Sequence, residues 1–335
     1  MTGRFGAFSV VMLLVFVILN VAAVAALPHD KYLRYLARND MRAPTTYWIY
    51  ERIHFDPTPI DVAFIGTSRM GMSVGSRRLQ EDLARRGIQA KAVNLYCVSN
   101  GVNLQYVIAK ELLNSRKVKL LVLEMTEREE RKSHEAFYMY ADTEDILTAP
   151  LFVNFNYLSD IVRLPGRQLA LAWQTALQRW SLRNAESLPY DGPNRDDAEF
   201  IRSVDDNVLH PHTLSHTQAE MEEMHRQEQR VRTRPLLPQA LSGLEYRVPR
   251  YYENRILELA RDHGTQVVFL YTPEYGGPEN PQPYQRYANR VELINPWAQL
   301  QDYRLWLNGN HPNWEGAKRV TDYVAEVLAN RSELR

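Results

Sequence analysis

The chain has 335 residues, 45% hydrophobic and 24% charged, which is enough length and apolar content for one large core or two smaller ones. Its 40 Lys and Arg balance 40 Asp and Glu, so formal net charge is zero and no basic footprint for nucleic acid exists. The single cysteine, Cys97, excludes an intrachain disulfide framework, and within Val93-Asn-Leu-Tyr-Cys-Val98 it reads as a small core residue.

In chain order, the first signal is an uncharged run of 23 residues, Phe5 to Leu27, in which only Ser9 and Asn20 are distinctly polar. A helix needs about 20 such residues to cross a bilayer. Ala23-Val24-Ala25 offers a small-residue cleavage site, but the run exceeds the roughly 7–15 residues of a signal-peptide core, so 1–27 is expected as an uncleaved transmembrane anchor. Lys31, Arg34 and Arg38 follow it and favour a cytoplasmic side. A single N-terminal span nevertheless exports the domain behind it, because long domains translocate largely regardless of charge. Residues 28–60, closed by Pro57-Thr-Pro59, read as a tether.

From residue 61 strands and helices alternate. Asp61–Ile65, Ala90–Leu95 and Val118–Leu123 read as strands. Between them, Ser76–Arg86 and Val102–Leu113 read as helices, the first stopped by Gly87. The rhythm breaks over about 127–244, which opens on Glu127-Arg-Glu-Glu-Arg-Lys132. This region carries helical patches around Leu169–Leu182 and a charged helix over about Thr217–Arg232, and it reads as an α-rich insertion or lid. The rhythm returns with a helix over Arg250–His263, strands at Thr265–Tyr271 and Arg290–Ile294, and a closing helix over Asn313–Leu328. The expected fold is α/β: a flavodoxin-like parallel sheet between helices, spanning 61–330.

Two stretches carry chemistry. Asp61-Val-Ala-Phe-Ile-Gly-Thr-Ser-Arg-Met70 ends an apolar strand at a hydroxyl, where open α/β sheets place their sites. Asn308-Gly-Asn-His-Pro-Asn-Trp-Glu-Gly316 sets a histidine before the last helix. Serine needs a base to take its proton, and histidine is the usual one. Ser68, the Ser99-Asn100-Gly101 turn and His311 all fall at strand ends that one sheet edge can gather. Taken alone, Gly66-Thr67-Ser68 reads first as a polar turn capping the next helix.

Together the three blocks resemble the SGNH (GDSL-like) hydrolases. Phe64-Ile-Gly-Thr-Ser-Arg69 looks like their first block, Asn94-Leu-Tyr-Cys-Val-Ser-Asn-Gly101 like the second, and Asn308 to Gly316 like the last. With the N-terminal run, the pattern is closest to the membrane-anchored periplasmic subset, such as alginate O-acetylation and DltD-like proteins. The resemblance covers 61–125 and 245–330. It implies an SGNH-type serine esterase or O-acetyltransferase on the inner membrane, with its domain in the periplasm. Ser68 would be the nucleophile, His311 the base and Asn308 its orienting partner. Ser68 and Gly101 N–H groups, with Asn100, would form the oxyanion hole. No cofactor or metal is implied. The partners would be an acylated glycan or acyl donor and a membrane-bound O-acyltransferase.

Two positions depart from the family pattern. Asn308 stands where it has aspartate, and an amide orients a histidine without stabilising imidazolium by charge; Asp302 is the nearest preceding carboxylate. The third strand runs into Leu123-Glu-Met-Thr-Glu127 with no Gly-x-Asn block, which leaves Asn100 or Asn103 to supply an amide. These departures also fit a non-catalytic scaffold that binds glycan or an acyltransferase. His210, His212 and His216, with Asp205 or Asp206, have the residue types of a metal site, but Pro211 and the loop-like context favour solvated histidines or a substrate-facing lid. Tyr271, Tyr275, Tyr284, Tyr287, Trp306 and Trp314 are candidates to stack on sugar rings or to pack the core.

Overall fold

The computed structural model describes residues 11–12, 15–16, 23–24, 26–36, 46–99, 101–181, 216–231 and 234–335. Its centre is a sheet of five strands: β1 (Val62–Ile65), β2 (Ala92–Asn94), β3 (Leu120–Met125), β4 (Gln266–Tyr271) and β5 (Glu292–Ile294). All pair in parallel, in the order β2-β1-β3-β4-β5. The helices are α1 (Thr46–His54), α2 (Ser68–Ser73), α3 (Ser76–Arg85), α4 (Val102–Ser115), α5 (Phe137–Tyr140), α6 (Thr143–Leu147), α7 (Tyr157–Ser181), α8 (Gln218–Val231), α9 (Ser242–Glu245), α10 (Arg247–Asp262) and α11 (Trp314–Ala329). This is the α/β architecture expected, with the flavodoxin-like strand order.

Alternation along each strand divides the core into two layers. Ala63, Ile65, Leu121, Leu123 and Phe269 face one side, where α1, α4 and α10 bury Ile49, Ile53, Leu112 and Ile256. Val62, Phe64, Leu120, Val122 and Leu270 face the other, against Leu79 and Leu83 of α3 and Val320, Val324 and Leu328 of α11. Cys97 is buried, and burial pushes its thiol up, so it is the core residue its context suggested.

The described residues of 28–60 differ from a tether. Tyr35 and the α1 residues Trp48, Ile49, Tyr50 and Ile53 belong to the same buried cluster as the sheet. Arg116 then closes the segment onto the domain by donating to the carbonyls of Ile53 at 3.1 Å and Asp56 at 2.6 Å. Ile49 and Ile53 of α1 stand four apart on one face, but Arg52 is buried beside them, so no clean apolar stripe announced the helix. Within the insertion, α8 matches the expected charged helix, whereas α7 begins twelve residues before the expected patches and runs through Pro165. A proline removes one intrahelical donor, and here the helix continues on packing. Among the described residues no helix is long and apolar enough to cross a membrane. Most of the Phe5–Leu27 run lies outside the described residues.

Candidate functional site

β1 lies between β2 and β3, so its carboxyl end is the point where the strand order reverses and a crevice opens. The chain turns there at Gly66. A Cβ on Gly66 would lie 2.7 Å from the Cβ of both Glu124 and Met70, so no larger residue fits. Thr67 is the N-cap of α2, its Oγ1 accepting from Arg69 N at 3.2 Å. The capping role therefore falls to Thr67. Ser68, the first residue of α2, directs its Oγ to His311 Nε2 at 2.9 Å.

The turn is braced from beneath by Glu124 of β3. One carboxylate oxygen accepts from Thr67 N at 2.9 Å. The other accepts from Met70 N at 3.0 Å and from the hydroxyls of Thr67 at 3.1 Å and Thr272 at 2.9 Å. Burial pushes the Glu124 carboxyl up, while the Arg69 charge and these donors pull it back. Glu124 thus occupies the strand end where the family's third block was missing.

His311 is set by the loop before α11. Asn313 caps that helix, accepting from Gly316 N at 3.1 Å, and its amide donates to Arg304 O at 2.7 Å. Asn308 Oδ1 accepts from the backbone N–H of Asn310 at 2.9 Å and of His311 at 3.0 Å, and it lies 3.0 Å from His311 Nδ1. Two backbone donors identify that atom as the amide oxygen. An oxygen can only accept, so His311 Nδ1 carries the proton and donates. In the neutral ring Nε2 is then the unprotonated nitrogen facing Ser68, which is the tautomer a general base needs.

A second chain of contacts runs beside this one. Arg69 donates to Glu127 at 2.8 Å, to Thr272 O at 3.3 Å and to Asn310 Oδ1 at 2.7 Å. Asn310 Nδ2 donates in turn to Glu228 of α8. His216 Nε2 donates to Leu307 O at 2.8 Å, just before Asn308. The residue after Ser68, the histidine loop and the insertion are thereby tied together. Ser68 and His311 open into a cleft of about 1240 Å³ whose walls include Ser99, Glu127, Arg128 and Tyr246.

Ser68, His311 and Asn308 are brought together as expected. Gly101, with φ at 154°, starts α4 hard against His134, and a Cβ there would come within 2.4 Å of the His134 Cβ. It lines a smaller adjoining cavity with Thr67 and Glu124. Asn100 lies outside the described residues. Asn103 is committed elsewhere, its Oδ1 accepting from His134 N at 2.8 Å. Asp302 caps the short turn Tyr303–Leu305 and pairs with Arg304 at 2.6 Å, so it takes no part in orienting His311.

His210, His212, Asp205 and Asp206 lie outside the described residues; among those described, no group of three or more His, Cys, Asp or Glu is arranged to hold a metal ion. Tyr271, Tyr287 and Trp306 are buried core residues, and none of the six candidate aromatics lines the cleft. Sequence reasoning gave no role to Glu124, Arg69, Asn310 or Glu228. Ser99, of the expected Ser-Asn-Gly turn, adopts φ 76° and lines the cleft.

Compared with protein-family models and with curated proteins, the chain matches none.

Proposed function

We propose that this chain is a serine-dependent acyl-transfer enzyme of SGNH type, an esterase or O-acetyltransferase that acts on an acylated glycan of the cell envelope. The observation that carries the reading is the unbroken Ser68–His311–Asn308 hydrogen-bond chain at the strand-reversal point, with His311 held in the base tautomer. Ser68 Oγ attacks the acyl carbonyl as its proton passes to His311 Nε2. The N–H groups of Ser68 and Gly101, helped by Asn100, receive the oxyanion. As first residue of α2, Ser68 has an N–H that the helix leaves without an internal acceptor. Protonated His311 then returns its proton to the departing alkoxide oxygen, leaving acyl-Ser68. Water completes hydrolysis, and a sugar hydroxyl completes transfer.

The Phe5–Leu27 run supports a protein held on the inner membrane with this domain in the periplasm, in reach of a membrane-bound O-acyltransferase as donor. The test is release of p-nitrophenol from p-nitrophenyl acetate. Ser68→Ala is expected to lower kcat by roughly 10³-fold or more. Equal rates for the two proteins would remove Ser68 as nucleophile, and silence of both toward the ester and toward a fluorophosphonate label would favour the scaffold reading.

A further inference from the structure

Helix α7 presents its apolar side outward. Leu164, Gln168, Leu171 and Thr175, at spacings of four, three and four, are buried against the domain. On the opposite side Leu158, Val162, Leu169, Trp173 and Leu177 form a continuous stripe, with Leu158 71%, Val162 78% and Trp173 66% exposed. Leu151, Phe152 and Phe155 extend it before the helix begins, Phe155 being 70% exposed. Between 157 and 177 the exposed side holds only Arg163 and Gln174 as polar residues, Arg163 lying over the Tyr138 ring. A surface helix ordinarily turns polar residues to water, and an uncovered patch this long, about 30 Å, marks a contact surface.

Its place in the chain identifies what covers it. The uncharged N-terminal run reaches the domain at this helix: Asp30 N donates to Thr175 Oγ1 at 2.8 Å. Arg34 then anchors the exit on Tyr140 O at 3.2 Å and Asp142 at 2.7 Å. Val11, Met12, Val15 and Phe16 of that run are themselves exposed. Cations border the stripe, with Arg163 on α7 and Arg247 over the Phe152 ring. We infer that α7 with Phe152 and Phe155 lies in the interface of a lipid bilayer, its stripe among the acyl chains and its cations at anionic headgroups. The inference rests on the reading of the N-terminal run as a membrane anchor. Asn156 donates to Ser133 O at 3.1 Å, beside His134 and Gly101, so docking of this face fixes how the cleft stands over the membrane.

The test uses the full chain in vesicles of phosphatidylethanolamine with a minority of phosphatidylglycerol. Because Cys97 is buried, nitroxides can be placed singly through Leu158→Cys, Leu169→Cys and Trp173→Cys. Val15→Cys reports the anchor, and Glu81→Cys on α3, across the sheet, reports water. Collision with oxygen against a water-soluble nickel chelate gives depth, and each variant must unfold thermally as the parent does. The three α7 labels are expected about 5–10 Å below the headgroups, with Glu81→Cys in water. Aqueous α7 labels beside a lipid-buried Val15→Cys would sink the inference and leave the anchor standing. An aqueous Val15→Cys would remove the anchor itself. Labels shielded from both reagents, or spin–spin broadening between copies, would assign the stripe to protein and also overturn the proposal.

Discussion

The two halves of the candidate site are held in different ways. The Ser68 turn is fixed by the core: β1 delivers it, Gly66 admits the close approach of β3, and Glu124 ties Thr67, Met70 and Thr272 beneath it. The His311 loop is a surface loop held by its own side chains and by the insertion, through Asn308, through His216 on Leu307 and through Glu228 on Asn310. The position of Ser68 is therefore a consequence of folding the sheet. The position of His311 is an added feature that depends on polar contacts, among them Glu228 on α8 and His216 just before it. Substitutions on the two sides should accordingly lose activity with different effects on stability.

Asn308→Ala is expected to have the largest effect of those that spare the reacting atoms. It frees the N–H groups of Asn310 and His311 and lets the imidazole take either tautomer, so kcat toward p-nitrophenyl acetate should fall about 10³-fold while the melting temperature moves little. Glu124→Gln comes next. The amide would turn an NH₂ toward backbone donors, and the displaced Ser68 turn should cost about 10²-fold in kcat together with a clear loss of thermal stability. If Glu124→Gln lost activity with an unchanged melting temperature, the contrast between a core-held and a loop-held half would fail.

The contrast also explains what the sequence disclosed. Gly66-Thr67-Ser68 and Asn308 to Gly316 are local patterns, and each places its own caps: Thr67 on α2 and Asn313 on α11. Strand spacing then sufficed to bring Ser68 and His311 to one edge. The braces were not legible because their partners are remote. Glu124 reaches Thr67 across 57 positions and Glu228 reaches Asn310 across 82, and a glutamate in a charged run reads first as a solvated one. The charged run from Glu127 shows this well, since Glu127 is nearly buried against Arg69 rather than solvated. The packing of α1 was hidden for another reason, because a charged residue, Arg52, is buried beside Ile49 and Ile53 and interrupts the apolar face. For α7 the sequence announced helical patches only from Leu169, and its mixed side with Gln168 and Thr175, rather than its more apolar side, faces the domain.

Smaller effects sharpen the histidine side. Glu228→Ala should lower kcat about tenfold with KM unchanged, and Glu228→Gln, which keeps an acceptor for Asn310, should restore most of it. Hydrogen exchange at the Asn310 and His311 amides should quicken in Glu228→Ala and not in Glu228→Gln. An equal loss in both variants would mean that charge rather than the hydrogen bond is what Glu228 supplies.

Asn308→Asp is the gentlest change and the most informative about the base. Aspartate keeps an acceptor for both backbone N–H groups and for His311 Nδ1, so the loop geometry should persist. It adds a negative charge about 3 Å from the imidazole, and an adjacent carboxylate favours the protonated ring. The acidic limb of the kcat/KM profile, which reports the base, should therefore move to higher pH by about one unit. Above that limb the imidazolium formed in the transition state is better stabilised, so kcat should rise a few-fold. A limb that stayed in place would mean that residue 308 does not face the titrating group. A shifted limb with an unchanged plateau would mean that the amide already supplies all the orientation this reaction needs and that imidazolium charge does not limit it.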